Sequence, residues 1–153
     1  MLSYVATIQP DGDTFMVSFP DFPGVYSQGD DFEDAMRHGR DALESALYFL
    51  VRDGKALPVP SKIRHGHGSS RKHHQRVCKA HRLIAVSPDF AVKLLLIGEM
   101  AAQRMSQAEL SRRMRVTPQE VTRLLDLRHN TKIGSLAAAL NALGKQLEIS
   151  LAV

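Results

Sequence analysis

Hydrophobic positions change period along this chain, and the changes mark its elements. Residues 2–9, LSYVATIQ, alternate loosely and place Leu2, Tyr4, Ala6 and Ile8 on one side. After the turn composition Pro10-Asp11-Gly12-Asp13, residues 14–19 alternate cleanly. Phe15, Val17 and Phe19 fall on one face, and Thr14, Met16 and Ser18 on the other. A period of two with one apolar face predicts a half-buried β-hairpin. Pro20 and Pro23 interrupt it, and residues 24–29, GVYSQG, predict a short third strand.

The period then lengthens. Phe32, Ala35, Met36, Gly39, Ala42, Leu43, Ala46, Leu47 and Leu50 form one stripe of helical spacing. Asp30 with Glu33 three residues on predicts its capping box, and Gly54 its stop. Two prolines in ALPVPS prevent continuation. Three strands and one long helix predict a small α+β layer, with the helix over the apolar sheet face.

Residues 61–82 lose the pattern. They carry seven basic residues, five histidines and no acid, which predicts a linker or exposed arm over 61–81. RLIAV, 82–86, reads as a strand returning to the lobe. From Ser87-Pro88 onward the pattern is helical. Four helices are predicted, in FAVKLLLIGEMAAQRM, SQAELSRRM, TPQEVTRLLD and KIGSLAAALNAL. QLEISLAV alternates again as a short C-terminal strand that needs a partner. The predicted domains are therefore 1–60, a linker over 61–81 with 82–86 as a possible strand of the lobe, and 87–153.

Composition adds a constraint that the pattern does not hold. The net charge of +4 is the difference between two unlike halves. Residues 1–60 hold ten acids and four bases, a net of −6; residues 61–153 hold sixteen bases and six acids, a net of +10. Such asymmetry points to two modules with different partners. A single cysteine, Cys78, makes no internal disulfide, which suggests a reducing cytoplasm. No secretory leader and no membrane-spanning apolar run is read from the sequence.

The most specific local signal is SQAELSRRMRVTPQEV, residues 106–121. Ser106 with Glu109, and Thr117 with Glu120, each predict a capped helix start. Between them Met114-Arg115-Val116 makes a tight break. Leu110, Val121, Leu124 and Leu125 face inward, leaving Gln119, Thr122 and Arg123, with Thr117, outward. This is helix-turn-helix spacing, and such side chains suit base edges or phosphates. Arg112, Arg113 and Arg115 crowd the joint. Position 115 is the natural place for a glycine with positive φ; a non-glycine residue held there costs roughly 1–2 kcal/mol.

Two other constellations carry less. His65, His67, His73, His74, Cys78 and His81 are zinc-ligand types, but one thiol and no CxxC match no known finger, so no metal is expected. Asp11, Asp13, Asp21, Asp30 and Asp31 crowd turns, where aspartates serve local hydrogen bonds. No nucleophile, base and orienting residue recur at an interpretable spacing, so no enzyme and no cofactor are expected.

Joined, the two halves resemble the HicB-type antitoxins of bacterial toxin–antitoxin pairs. The runs FPDFPGVYSQGD and LDLRHNTK carry the resemblance most specifically, and it extends over nearly the whole chain. It implies an N-terminal lobe with a partial ribonuclease-H-like fold that has lost its catalytic acids. That lobe would bind a HicA toxin, a small basic messenger-RNA-cleaving enzyme, with Asp11, Asp21, Phe22, Tyr26, Asp30 and Asp31 as candidate contacts. The C-terminal domain would oligomerise, as a dimer or tetramer, and repress its own operon. By resemblance Gln107, Thr117, Gln119, Glu120, Thr122 and Arg123 read the operator DNA, with Arg128, His129 and Lys132 near its backbone; Arg115, at the joint, is a further candidate DNA contact. The sequence departs from the family pattern at Ser111, where alanine is usual, at Arg115, where glycine is usual, and in the long basic histidine arm. Two rival readings are a transcription regulator with a small-ligand-sensing first domain and a metal-dependent nuclease.

Overall fold

The computed structural model describes residues 2–62 and 79–149. The chain divides into two compact units, Met1–Val86 and Ser87–Val153.

The first unit is a four-stranded antiparallel sheet with one helix on it. Its strands are β1 (Ser3–Asp11), β2 (Thr14–Ser18), β3 (Tyr26–Gly29) and β4 (Ala80–Ala85), in the order β3-β2-β1-β4. The β1–β2 hairpin pairs Asp11 with Thr14 and Ile8 with Val17, the register that puts Tyr4, Ala6, Ile8, Val17 and Ile84 together in the core. The helix α1 (Phe32–Arg52) lays Ala35, Gly39, Leu43 and Leu47 against that face. Their spacing of four is one stripe of a helix. Tyr4 meets Phe22 edge-on at 4.8 Å and donates to the Pro58 carbonyl at 2.9 Å. The segment after α1 is thereby tied back to the sheet, and Ser61 joins Asp21 through its N–H at 2.9 Å and through its hydroxyl.

Helix α1 starts one residue later than the spacing suggested. Asp31, not Asp30, is its N-cap and accepts from the Asp34 N–H at 2.8 Å. Asp34 in turn accepts from the Asp30 N–H at 3.0 Å, which holds its carboxyl below the usual aspartate range, with Arg37 and His38 adding to the effect. Glu33 takes no part in this cap. Two adjacent aspartates offer the same local signal; the packing of Gly29 decides between them. A Cβ on Gly29 would lie 2.1 Å from the Ala35 nitrogen, so β3 turns into α1 through a gap that only a bare backbone fits. Gly39 makes the second close approach, where a Cβ would lie 2.9 Å from Ile84 Cδ1.

The second unit is helical. It comprises α2 (Pro88–Ala102), α3 (Gln107–Met114), α4 (Pro118–Leu125) and α5 (Ile133–Ala142). Leu96, Met100, Leu110, Val121, Leu124, Leu136, Ala139, Leu140 and Leu143 form its core. Pro88 stands at the start of α2 as expected, but the Ser87 hydroxyl makes no cap hydrogen bond. Residues 146–149, expected to open a terminal strand, pair with no strand, and the remainder of that segment lies outside the described residues. A strand without a ladder has no partner for its backbone groups. The arm residues 63–78, with most of the histidines and Cys78, also lie outside them. Among the described residues no helix is long and apolar enough to cross a membrane.

The glycines supply a paired test. Gly29→Ala should lower the stability of the first unit by about 3 kcal/mol, since backbone rather than a side chain must move. Gly98→Ala, where a Cβ meets open space within α2, should raise stability by about 0.5–1 kcal/mol. Urea melts of both variants check this; equal effects at the two positions would contradict it.

Candidate nucleic-acid interface

Helices α3 and α4 form a tight joint. Arg115 is the C-cap of α3 in the left-handed conformation, φ 56° and ψ 42°. The position therefore keeps the geometry that glycine would favour. Ser111 accounts for how it is held. Its buried hydroxyl donates to the Val116 carbonyl at 2.6 Å, while the Val116 N–H donates to the Ser111 carbonyl at 3.2 Å. A pair of hydrogen bonds thus spans the strained residue, and the hydroxyl of one is absent from alanine. Ser111 and Arg115 thus belong to one hydrogen-bonded turn.

Helix α4 begins with a complete capping box. Thr117 Oγ1 accepts from the Glu120 N–H at 3.2 Å, and Glu120 accepts from the Thr117 N–H at 2.7 Å. These bonds hold the Glu120 carboxyl below the usual glutamate range, with a smaller contribution from Arg123. Glu120 and Thr117 are thus engaged in building the helix start. The expected box at Ser106 is only half formed: Ser106 accepts from the Glu109 N–H, but the Glu109 carboxylate pairs with Arg112 at 2.7 Å and Arg113 at 3.2 Å. Two guanidiniums outcompete one backbone N–H.

All ten candidate operator residues, Gln107, Arg115, Thr117, Gln119, Glu120, Thr122, Arg123, Arg128, His129 and Lys132, are exposed. The Thr122 hydroxyl donates back to the Pro118 carbonyl at 3.0 Å, leaving its lone pairs outward. A groove of about 480 Å³ between α4, the following loop and α5 brings Arg123, His129 and Lys132 to one opening, over a floor that includes Val121, Leu124 and Ala138.

The candidate contacts of the acidic lobe do not share one place. By strand register Asp11 and Asp30 sit at the same end of the sheet, beside Thr14, while Asp21 and Tyr26 sit toward the other. Asp31 caps α1 and Asp21 holds Ser61. Phe22, only 5% exposed, belongs to the core against Tyr4 and Phe19 and offers no surface. Tyr26 is 64% exposed. Among the described residues no three of His, Cys, Asp and Glu gather into a metal site.

A family model described as "HicB_like antitoxin of bacterial toxin-antitoxin system" matches residues 3–69. "Antitoxin HicB 2" of Photorhabdus laumondii subsp. laumondii is 35% identical over 97% of this chain and 95% of its own length. "Antitoxin HicB" of Escherichia coli K12 is 36% identical over 94% and 93%. The chain belongs to the HicB antitoxin family. It is thereby an antitoxin of a bacterial toxin–antitoxin system and not an enzyme. Solved structures similar to this chain include a toxin–antitoxin complex from Streptococcus pneumoniae, with a TM-score of 0.48, 21% identity, and coverage of 56% of this chain and 69% of that one. Another is the Burkholderia pseudomallei antitoxin HicB, with a TM-score of 0.45, 18% identity, and coverage of 69% and 87%.

One residue of this HicB chain escaped the reading of its sequence. Lys93 stands on the buried side of α2, fully enclosed, and its ammonium donates to the carbonyls of Asp126, at 2.7 Å, and His129. Burial pushes its pKa below the ordinary lysine value, partly countered by the carboxylates of Asp89 and Asp126. The signal was present: in FAVKLLLI a single lysine shares the inward stripe with Phe90, Leu94 and Leu96.

The joint between α3 and α4 gives a double-mutant test. Ser111→Ala should cost about 1 kcal/mol, leaving the Val116 carbonyl without the Ser111 hydroxyl as donor. Arg115→Gly should gain up to about 1 kcal/mol, the relief of left-handed strain less the added freedom of the unfolded chain. The two effects should couple, with Ser111→Ala costing less beside Gly at 115. Denaturant melts of the four proteins measure this; simple additivity would separate the hydroxyl from the strain.

Proposed function

We propose that the first unit binds and neutralises a HicA-type toxin, a small basic messenger-RNA-cleaving enzyme, and that the second represses the chain's own operon by binding operator DNA. The observation that carries the operator half is the outward face of α4. Gln119, Thr122 and Arg123 stand exposed on a helix of which Val121 and Leu124 are fixed in the core. Arg115 precedes them and Arg128 and Lys132 follow, with His129 between these two, so a reading helix is bracketed by basic side chains. Glutamine suits adenine, arginine suits guanine, and the flanking cations suit phosphates. The net charge of +10 over 61–153 supports the same reading, because phosphate contacts supply much of such affinity.

The toxin half is supported by family membership and by charge. A ribonuclease needs a basic surface for its substrate, and residues 1–60 carry a net of −6. Asp11, Asp30 and Asp31 at one end of the sheet, and Tyr26 toward the other, are the exposed candidates for contact. A homo-oligomer, dimer or tetramer, fits the exposed apolar side chains Leu95, Ile133 and Ile149 of the second unit. Two copies of the reading helix would match a two-fold operator.

Arg123→Ala and the pair Asp11→Lys with Asp30→Lys separate the two halves. The first should leave the melt within about 0.5 kcal/mol and remove roughly 1–3 kcal/mol of discrimination at one base pair, or lower the salt slope by about one unit if its contact is a phosphate. Toxin inhibition should persist. The charge reversals should weaken toxin binding at low salt, with the deficit shrinking as salt rises, and spare operator binding. Gel shifts across salt concentrations beside a toxin-inhibition assay read both. Operator affinity unchanged in Arg123→Ala removes that residue from the site. Toxin inhibition lost in the folded Arg123→Ala variant puts the toxin surface on the wrong unit.

A further inference from the structure

We infer that Lys93 is a positioning residue of the operator site: by gripping two carbonyls from inside the core, it fixes the loop that carries Arg128, His129 and Lys132. The inference rests on the proposed operator binding by the second unit. Lys93 has no exposed surface and touches no DNA itself. Its ammonium donates to the carbonyls of Asp126, the C-cap of α4, and of His129, three residues on. A methionine or leucine would fill the same place on α2 without desolvating a charge. What an ammonium adds is N–H donors at a fixed point, and both bonded partners lie in one loop.

Leu127 is that loop's buried apolar side chain. Its internal hydrogen bonds are short-range: Arg128 N–H to Asp126 Oδ1 at 3.0 Å, His129 N–H to the Asp126 carbonyl at 3.1 Å, and Thr131 Oγ1 to the His129 carbonyl at 3.3 Å. Lys93 ties the start and middle of the loop to α2, while the Ser135 and Leu136 N–H groups of α5 hold its end at the Lys132 carbonyl. Arg128, His129 and Lys132 stand on it or at its end, and His129 and Lys132 share the groove with Arg123 of α4. A loop held before binding loses less conformational freedom on meeting phosphates than one ordered by them. The Lys93 grip therefore sets the register between base-reading α4 and backbone-contacting loop.

The test uses the full chain and a duplex from upstream of its own operon. Lys93→Met removes the donors and keeps the length; Lys93→Gln keeps a shorter, neutral donor. Leu136→Ala, in the core of the same unit, serves as a comparator that lowers stability without touching the loop bonds. Binding is titrated across salt concentrations well below each melting point, and amide hydrogen exchange is followed through residues 126–132. Lys93→Met should weaken operator binding about tenfold or more and lower the salt slope by about one to two units. Its loop amides should exchange faster while those of α3 and α4 hold. Lys93→Gln should recover part of the affinity, and Leu136→Ala should melt lower with affinity and slope unchanged. If the methionine variant fails to fold, the glutamine variant carries the comparison, with an intermediate loss expected. Unchanged affinity and slope in Lys93→Met, or the same loss in Leu136→Ala, overturns the inference. Failure of the parent chain to bind the duplex overturns the operator reading and the role of Lys93 with it, a result distinct from a weak variant beside a tight-binding parent.

Discussion

The second unit is organised around an ammonium that has no contact with water. A charged group enclosed in an apolar core is unfavourable unless its donors are met. Lys93 meets this demand with the carbonyls of Asp126 and His129, so one side chain links α2 to the end of α4 and to the following loop, beside the apolar core that packs α2 on α4. The rest of the interface is built outward from there. Val121 and Leu124 anchor α4 on the same core, the Thr117–Glu120 box sets its first turn, and Ser111 spans the left-handed Arg115 before it. Each exposed side chain on α4 inherits its direction from a buried contact behind it.

The first unit solves a different problem with different means. It has to present acids while also folding on them. Asp31 and Asp34 are engaged at the start of α1, Asp21 holds the returning segment, and Asp53 pairs with Arg52 and Lys55 at the helix end. The acidity of the lobe is thus partly structural, and the number of acids overstates the charge available to a partner. Asp11 and Asp30 keep their carboxylates outward beside Thr14, next to a hairpin whose register the core fixes.

What was legible in the sequence was local. Alternation in TFMVSF gave β2, the stripe from Ala35 to Leu47 gave α1, and Thr117 with Glu120 gave the start of α4, because each signal lies within a few residues of its consequence. The left-handed position at Arg115 was legible for the same reason. The misses are competitions and long-range contacts. Asp30 and Asp31 carry the same capping signal, and the tight turn at Gly29 chooses between them. Glu109 was expected to complete a box and is instead drawn to Arg112 and Arg113. Phe22, a candidate toxin contact, is buried against Tyr4 of β1, a packing partner eighteen residues away. Lys93 bonds to residues more than thirty positions away, and no periodicity announces such partners.

The central claim is that one chain keeps two partners on two units. Hydrogen-exchange footprints of the full-length protein, taken once with the toxin and once with the operator duplex, test it most directly. The account predicts that toxin protects amides within residues 2–62 and 80–86 and leaves α3, α4 and the loop after it unchanged, while the duplex protects the joint around Arg115, the start of α4 and the 126–132 loop. Protection by the toxin centred on α4, or by the duplex centred on the sheet, would contradict it.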